Sequence, residues 1–132
     1  MLTADDRFAI ADVINLHGHL TDRGDFDGMT RVFAADVTYD LTAFGAGVLT
    51  GPAEMKAAAL ALGDANPLAH HVTNIVVEER SDGTVRALSK YLGVMANGSV
   101  GSGTYEDTLT NGDDGWRITH RVVRPRRVPL QA

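Results

Sequence analysis

The chain has 132 residues, 44% of them apolar and 22% charged, with a formal net charge of −5. That length suits one domain, residues 1–132, burying roughly two-thirds of its unfolded surface, and the acidic balance argues against nucleic acid or an anionic membrane as partner. With no cysteine, thiol nucleophiles, disulfides and cysteine-based zinc sites are excluded; with no apolar run of ~18 residues and no basic start followed by an apolar core, a cytoplasmic location is the expectation.

Thr3 to Thr21 reads as a helix. Thr3, Asp5 and Asp6 supply capping oxygens and negative charge at its start, and Ile10, Val13, Ile14 and His17 form one apolar stripe. Gly24 stops it, and Asp25 can cap a short second helix through Met29 and Val32 to about Phe33. Val37 to Thr42 reads as a strand with Tyr39 and Leu41 on one face. Phe44-Gly45-Ala46-Gly47 is a turn, and Val48-Leu49-Thr50 a short return strand. Pro52 near a first helical position opens a third helix, which Gly63 ends.

From Ala69 the pattern changes to long strands. Ser81-Asp82-Gly83, Asn97-Gly98 and Asn111 to Gly115 are turn signals, which divide the rest into strands near 69–80, 84–96, 99–110 and 115–124. Strands this long twist and curl, and the concave face needs a cover. The expected fold is therefore α+β: a curved, mostly antiparallel sheet forming a cone, covered by the N-terminal helices.

Several polar residues fall where chemistry could be built. Asp22, within Asp22-Arg23-Gly24-Asp25, lies at the unfavourable end of a helix dipole, so helix stability does not explain it; it is either an Asx-type turn or a proton-transfer group. His70 and His71 open a strand, and alternation lets one of them enter a pocket without choosing which. His17 is either a satisfied interior residue or a ligand contact one helical turn from Asp22. On the last strand Trp116, Ile118 and His120 share a face and Arg121 points the other way, provided no bulge intervenes. Tyr105, Asp107 and Leu109 share a face of the preceding strand. Arg121, Arg124, Arg126 and Arg127 are expected to edge a sheet or meet a partner subunit. A metal site is only weakly signalled: five histidines are present, but His17 and His19 diverge on a helix, and there is no His-Glu-x-x-His pair.

Leu20-Thr21-Asp22-Arg23-Gly24-Asp25-Phe26-Asp27, Val32-Phe33-Ala34-Ala35-Asp36-Val37, His70-His71-Val72-Thr73-Asn74, Gly103-Thr104-Tyr105-Glu106-Asp107 and Asp114-Gly115-Trp116-Arg117-Ile118 occur in an order that is familiar. In that order the chain resembles the SnoaL-like branch of the cone-fold superfamily named after nuclear transport factor two. Scytalone dehydratase, ketosteroid isomerase, limonene epoxide hydrolase and a dehydrochlorinase are relatives. The resemblance implies a catalytic couple of Asp22 and His71, with the histidine as general base and the aspartate orienting it. It also implies a homodimer formed through the outer sheet face. The sequence departs from scytalone dehydratase where Thr21 and Leu41 stand in place of tyrosines and where a second histidine would fall near Val94-Met95.

The expected activity is thus a cofactor-independent lyase, of dehydratase or dehydrohalogenase type, acting on a small, largely apolar or polycyclic molecule. His17, Tyr39, Tyr105 and His120 are the expected substrate-binding residues, assisting a leaving group or holding an enolate oxygen. No cofactor or metal is expected. The rival readings are a polyketide cyclase or ketosteroid-type isomerase using the same pocket, and a ligand-binding or accessory subunit in which the couple is structural.

Overall fold

The computed structural model describes residues 1–131. Helix α1 spans Ala4–Arg23. Thr3 and Asp6 cap it reciprocally, each side chain accepting the other's backbone N–H, and Gly24 ends it at φ 70°. Ile10, Val13, Ile14, His17 and Leu20 form its buried stripe, as the periodicity requires. Asp25 does accept the Gly28 N–H at 3.0 Å, but the expected short second helix is a 3-10 turn over Asp27–Arg31. Strand β1 then begins at Phe33 rather than Val37 and ends at Asp40. The last strand captures the chain early, with the Ile118 N–H donating to the Val32 carbonyl at 2.9 Å.

Strand β2 covers Val48–Thr50 and helix α2 covers Gly51–Leu62. Four long strands follow: β3 Ala69–Glu79, β4 Val85–Val94, β5 Val100–Gly112 and β6 Gly115–Arg126, each within two residues of the expected bounds. The strands form a single sheet in the order β2-β1-β6-β5-β4-β3. All neighbours are antiparallel except β1 and β6, which run parallel. The fold is thus the expected α+β curved sheet. Helix α1 lies over β3, and α2 over β1 and β2. Ile10, Ile14, Leu20, Val32, Phe33, Val37 and Ile118 fill the core between helix and sheet, each contributing about 1.5–3 kcal/mol by leaving water.

Two bulges reset which side chains face inward. In β3, Thr73 pairs with Lys90 and Val76 with Leu88, so Asn74 and Ile75 together oppose one residue. Asn74 takes the left-handed conformation at φ 55°, which asparagine tolerates better than most residues. In β6, Ile118 pairs with Leu109 and His120 with Thr108, leaving Thr119 as the extra residue. Beyond it Arg121 and Val123 turn inward, and His120 turns away.

Candidate active site

The C-terminal turn of α1 meets the first residues of β3. Asp22 Oδ1 lies 2.7 Å from His70 Nδ1, and the Asp22 carboxylate also accepts the His70 backbone N–H at 3.0 Å to Oδ2. A carboxylate only accepts, so neutral His70 carries its proton on Nδ1 and keeps the lone pair on Nε2. The expected partner was His71. It lies on the other face of β3 and is exposed, because alternation sends the two side chains to opposite faces and α1 packs on the one that carries His70. The close approach of α1 and β3 that permits this contact runs over Gly18, where an added Cβ would sit 2.8 Å from the His70 carbonyl oxygen.

His70 lines a cavity of about 640 Å³ enclosed by α1, α2 and the inner face of the sheet. Its walls are largely apolar. Met55, Ala58, Ala59 and Leu62 contribute one stripe of α2 at helical spacing, and Tyr91, Tyr105 and Val123 contribute the sheet side. Tyr91 and Tyr105 stack with ring centroids 4.8 Å apart. No aspartate or glutamate side chain lines the cavity among the described residues. His17, Thr21, Tyr39 and Tyr105 bring polar atoms to it, and the Thr21 hydroxyl is buried without a partner among the described residues. A smaller space of about 330 Å³ adjoins the cavity, lined by Asp22, Arg23 and Asn66 as well as His70.

Behind the cavity wall lies a buried ion pair. Arg121, fully buried, donates from Nε to Asp107 Oδ1 at 2.6 Å and from Nη2 to Oδ2 at 2.9 Å. Its remaining nitrogen, Nη1, is 3.1 Å from His17 Nδ1, and its guanidinium stands 3.9 Å from the centroid of the Tyr105 ring. Burial opposes the charge on Arg121, but the Asp107 carboxylate more than offsets this and holds the guanidinium protonated. Burial, reinforced by the Arg121 charge, pushes the His17 imidazole well below its ordinary value. Burial likewise raises the Tyr39 and Tyr105 hydroxyls, which therefore remain protonated donors.

Of the residues singled out from the sequence, Asp22, His17, Tyr39 and Tyr105 lie on or beside the cavity. His71 does not, and neither does His120. Beyond the Thr119 bulge His120 faces away from the cavity and its Nδ1 meets the Thr38 hydroxyl of β1. The same bulge overturns the expectation that Arg121 edges the sheet. Asp107 was visible on the Tyr105–Leu109 face, but nothing in the spacing showed that an arginine would reach it. No group of three or more His, Asp or Glu side chains converges as a metal-ligand set among the described residues.

Residues 2–122 match the family model described as SnoaL-like domain. A search of the curated proteins found no match. Among solved structures, the chain is similar to a Novosphingobium aromaticivorans DSM protein provisionally named an aromatic ring hydroxylase. Identity is 26% over 99% of this chain and 95% of that one, at a TM-score of 0.76. An NTF2-like protein with a cystatin-like fold from Novosphingobium aromaticivorans DSM is 25% identical over 92% of this chain and 82% of that one, at 0.70. A Nostoc punctiforme PCC 73102 protein of unknown function with a cystatin-like fold shares the fold at a TM-score of 0.79, with 19% identity over 95% of this chain and 94% of that one.

Proposed function

We propose that this chain, which belongs to the SnoaL-like domain family, is a cofactor-independent acid–base enzyme that removes a carbon-bound proton from a small, largely apolar molecule. His70 is the base and Asp22 its orienter. The observation that carries this reading is the 2.7 Å contact of Asp22 Oδ1 with His70 Nδ1 at the wall of an apolar cavity. Asp22 fixes the tautomer that leaves Nε2 able to accept a proton, and its charge stabilises the imidazolium that results. A cavity of about 640 Å³ suits a substrate of two or three fused rings. The provisional name of the Novosphingobium relative supports an aromatic one.

After proton removal, loss of a β-substituent with its bonding electrons gives a lyase of dehydratase or dehydrohalogenase type, the outcome we favour. Return of the proton to another carbon gives an isomerase; attack of the enolate carbon on a second carbonyl carbon of the same molecule, with that carbonyl's π pair moving to its oxygen and the proton passing there, gives a cyclase. A panel of aromatic and polycyclic ketones, β-hydroxy ketones and halides, incubated in deuterated water and read by mass spectrometry, separates these: elimination changes the mass by water or acid, and isomerisation leaves deuterium on carbon.

His70→Ala is expected to lose about 10²–10⁴-fold of the rate, and His71→Ala to keep it. Equal rates in wild type and His70→Ala would remove His70 from the chemistry. Binding of panel members without exchange or elimination would make the chain a ligand carrier.

A further inference from the structure

Resting on that reading, we infer that His17 is a neutral hydrogen-bond donor to the substrate, held in the donating tautomer by Arg121, and that the group it takes is a carbonyl oxygen next to the carbon His70 deprotonates. Arginine has only donors, so the 3.1 Å contact from Arg121 Nη1 requires His17 Nδ1 to accept. The proton of His17 is then on Nε2. Asp107 grips the other two nitrogens of the guanidinium, at 2.6 and 2.9 Å, which leaves Nη1 directed at the imidazole, with the Tyr39 hydroxyl as a further hydrogen-bond partner of Arg121. The ring is also wedged edge-on against Phe33 and Tyr105, at centroid distances of 5.3 and 6.1 Å, so it cannot readily turn over. His17 lines the cavity, and no described side chain or carbonyl takes its Nε2–H.

The two histidines therefore reach the cavity in complementary states. Asp22 leaves His70 an acceptor, and Arg121 leaves His17 a donor, with ring centroids 6.3 Å apart. That separation admits a carbonyl group between them. The α-proton passes to His70 Nε2. The C–H electron pair forms the double bond to the carbonyl carbon, and the carbonyl π pair moves onto the oxygen, which the His17 N–H meets. A neutral donor suits an enolate oxygen because it stabilises developing charge without giving up its proton. The substrate class narrows accordingly to apolar ketones with an enolisable α-carbon. Arg121 and Asp107 are positioning residues.

Two-bond nitrogen–proton correlation NMR on nitrogen-15-labelled protein reads the tautomer directly. His17 is expected to show protonated Nε2 and bare Nδ1 throughout about pH 5.5–8, the range in which an ordinary histidine titrates. In the charge-free double variant Arg121→Met/Asp107→Leu, it is expected to become a tautomer mixture. β-Naphthol, whose oxygen stands in for an enolate oxygen, is expected to bind wild type about fivefold tighter than His17→Leu. Naphthalene is expected to bind both alike, and His17→Gln, which keeps an N–H, to recover part of the β-naphthol affinity. A wild-type His17 protonated on Nδ1, or charged in that range, overturns the inference, as does undiminished β-naphthol binding by His17→Leu. Neither result touches His70, whose role is decided by the exchange experiment, and failure of His70→Ala to slow exchange leaves the His17 tautomer measurement standing.

Discussion

His17 makes the stability of the protein depend on pH in a definite direction. Its imidazole is buried beside a fixed positive charge and stays neutral when folded, while in the unfolded chain it protonates near pH 6.5. Below that pH the unfolded state binds a proton the folded state refuses, so stability is full above about 6.5 and falls as the solution is acidified. The slope from this residue is about 1.4 kcal/mol per pH unit. Urea unfolding at several pH values between about 7 and 5 is expected to show a correspondingly flatter dependence in His17→Gln than in wild type; equal slopes would mean that His17 takes up its proton in the folded protein. Asp6, Asp40 and Asp82, lowered by threonine hydrogen bonds, lose their contribution only near and below the ordinary carboxylate value of 3.8, outside that window. The Arg121–Asp107 pair gives a second test by chemical denaturation. Arg121→Met alone strands a buried carboxylate and is expected to cost about 3–5 kcal/mol, whereas adding Asp107→Leu is expected to recover most of that loss. At this scale the sequence was informative about residue type and silent about side. Asp22 and His17 could be singled out because each is an odd choice for its place in a helix, and Tyr105 because it shares a strand face with Asp107 and Leu109. The strand start at Ala69 was legible, but the choice between His70 and His71 depends on which face of β3 the helix α1 covers, which spacing along the strand does not determine.

Element boundaries were legible because their signals are local: the Thr3–Asp6 cap, Pro52 at a helix start, and glycines at Gly24, Gly83 and Gly98 with positive φ. The bulges were not, because an extra residue in one strand is defined by its neighbour across the sheet. Thr119 looks like any other strand residue, yet it decides that Arg121 faces inward and His120 outward. The contact of α1 with β3 has no local signal either and was implied only by the resemblance; it runs over Gly18. Gly18→Ala places a methyl 2.8 Å from the His70 carbonyl oxygen, so the helix must lift from the strand that carries the base. The expected cost is about 1–3 kcal/mol in stability. The expected loss in rate exceeds that of a surface Gly→Ala such as Gly112→Ala, where an added Cβ meets nothing within 4 Å. Denaturation curves and the deuterium-exchange assay on both variants check this, and a Gly18→Ala variant with wild-type rate would show that the helix–strand spacing is not critical to the couple.

The whole molecule leaves a face of its sheet uncovered. On the convex side of β3 and β4, Val76 and Leu88 stand opposite each other with 63% and 50% of their surface exposed, and Leu92 adds 39%. A second copy is the occupant expected there, given the homodimer implied by the resemblance. Light scattering is expected to give a dimer mass for wild type and a monomer mass for Leu88→Lys, and a monomeric wild type would refute the expectation. The concave side has a different deficiency. Among α2 residues only Gly51 is buried; Met55 packs against the core, and Ala58, Ala59 and Leu62 line the cavity. A molecule bound in that cavity would cover this apolar surface and would bind the folded chain alone. A ligand present at a hundred times its dissociation constant should raise the unfolding free energy by about 2.7 kcal/mol. Melting temperature alone can therefore rank candidate compounds before any reaction is known, and the compounds that tighten α2 against the sheet are the first to assay for turnover.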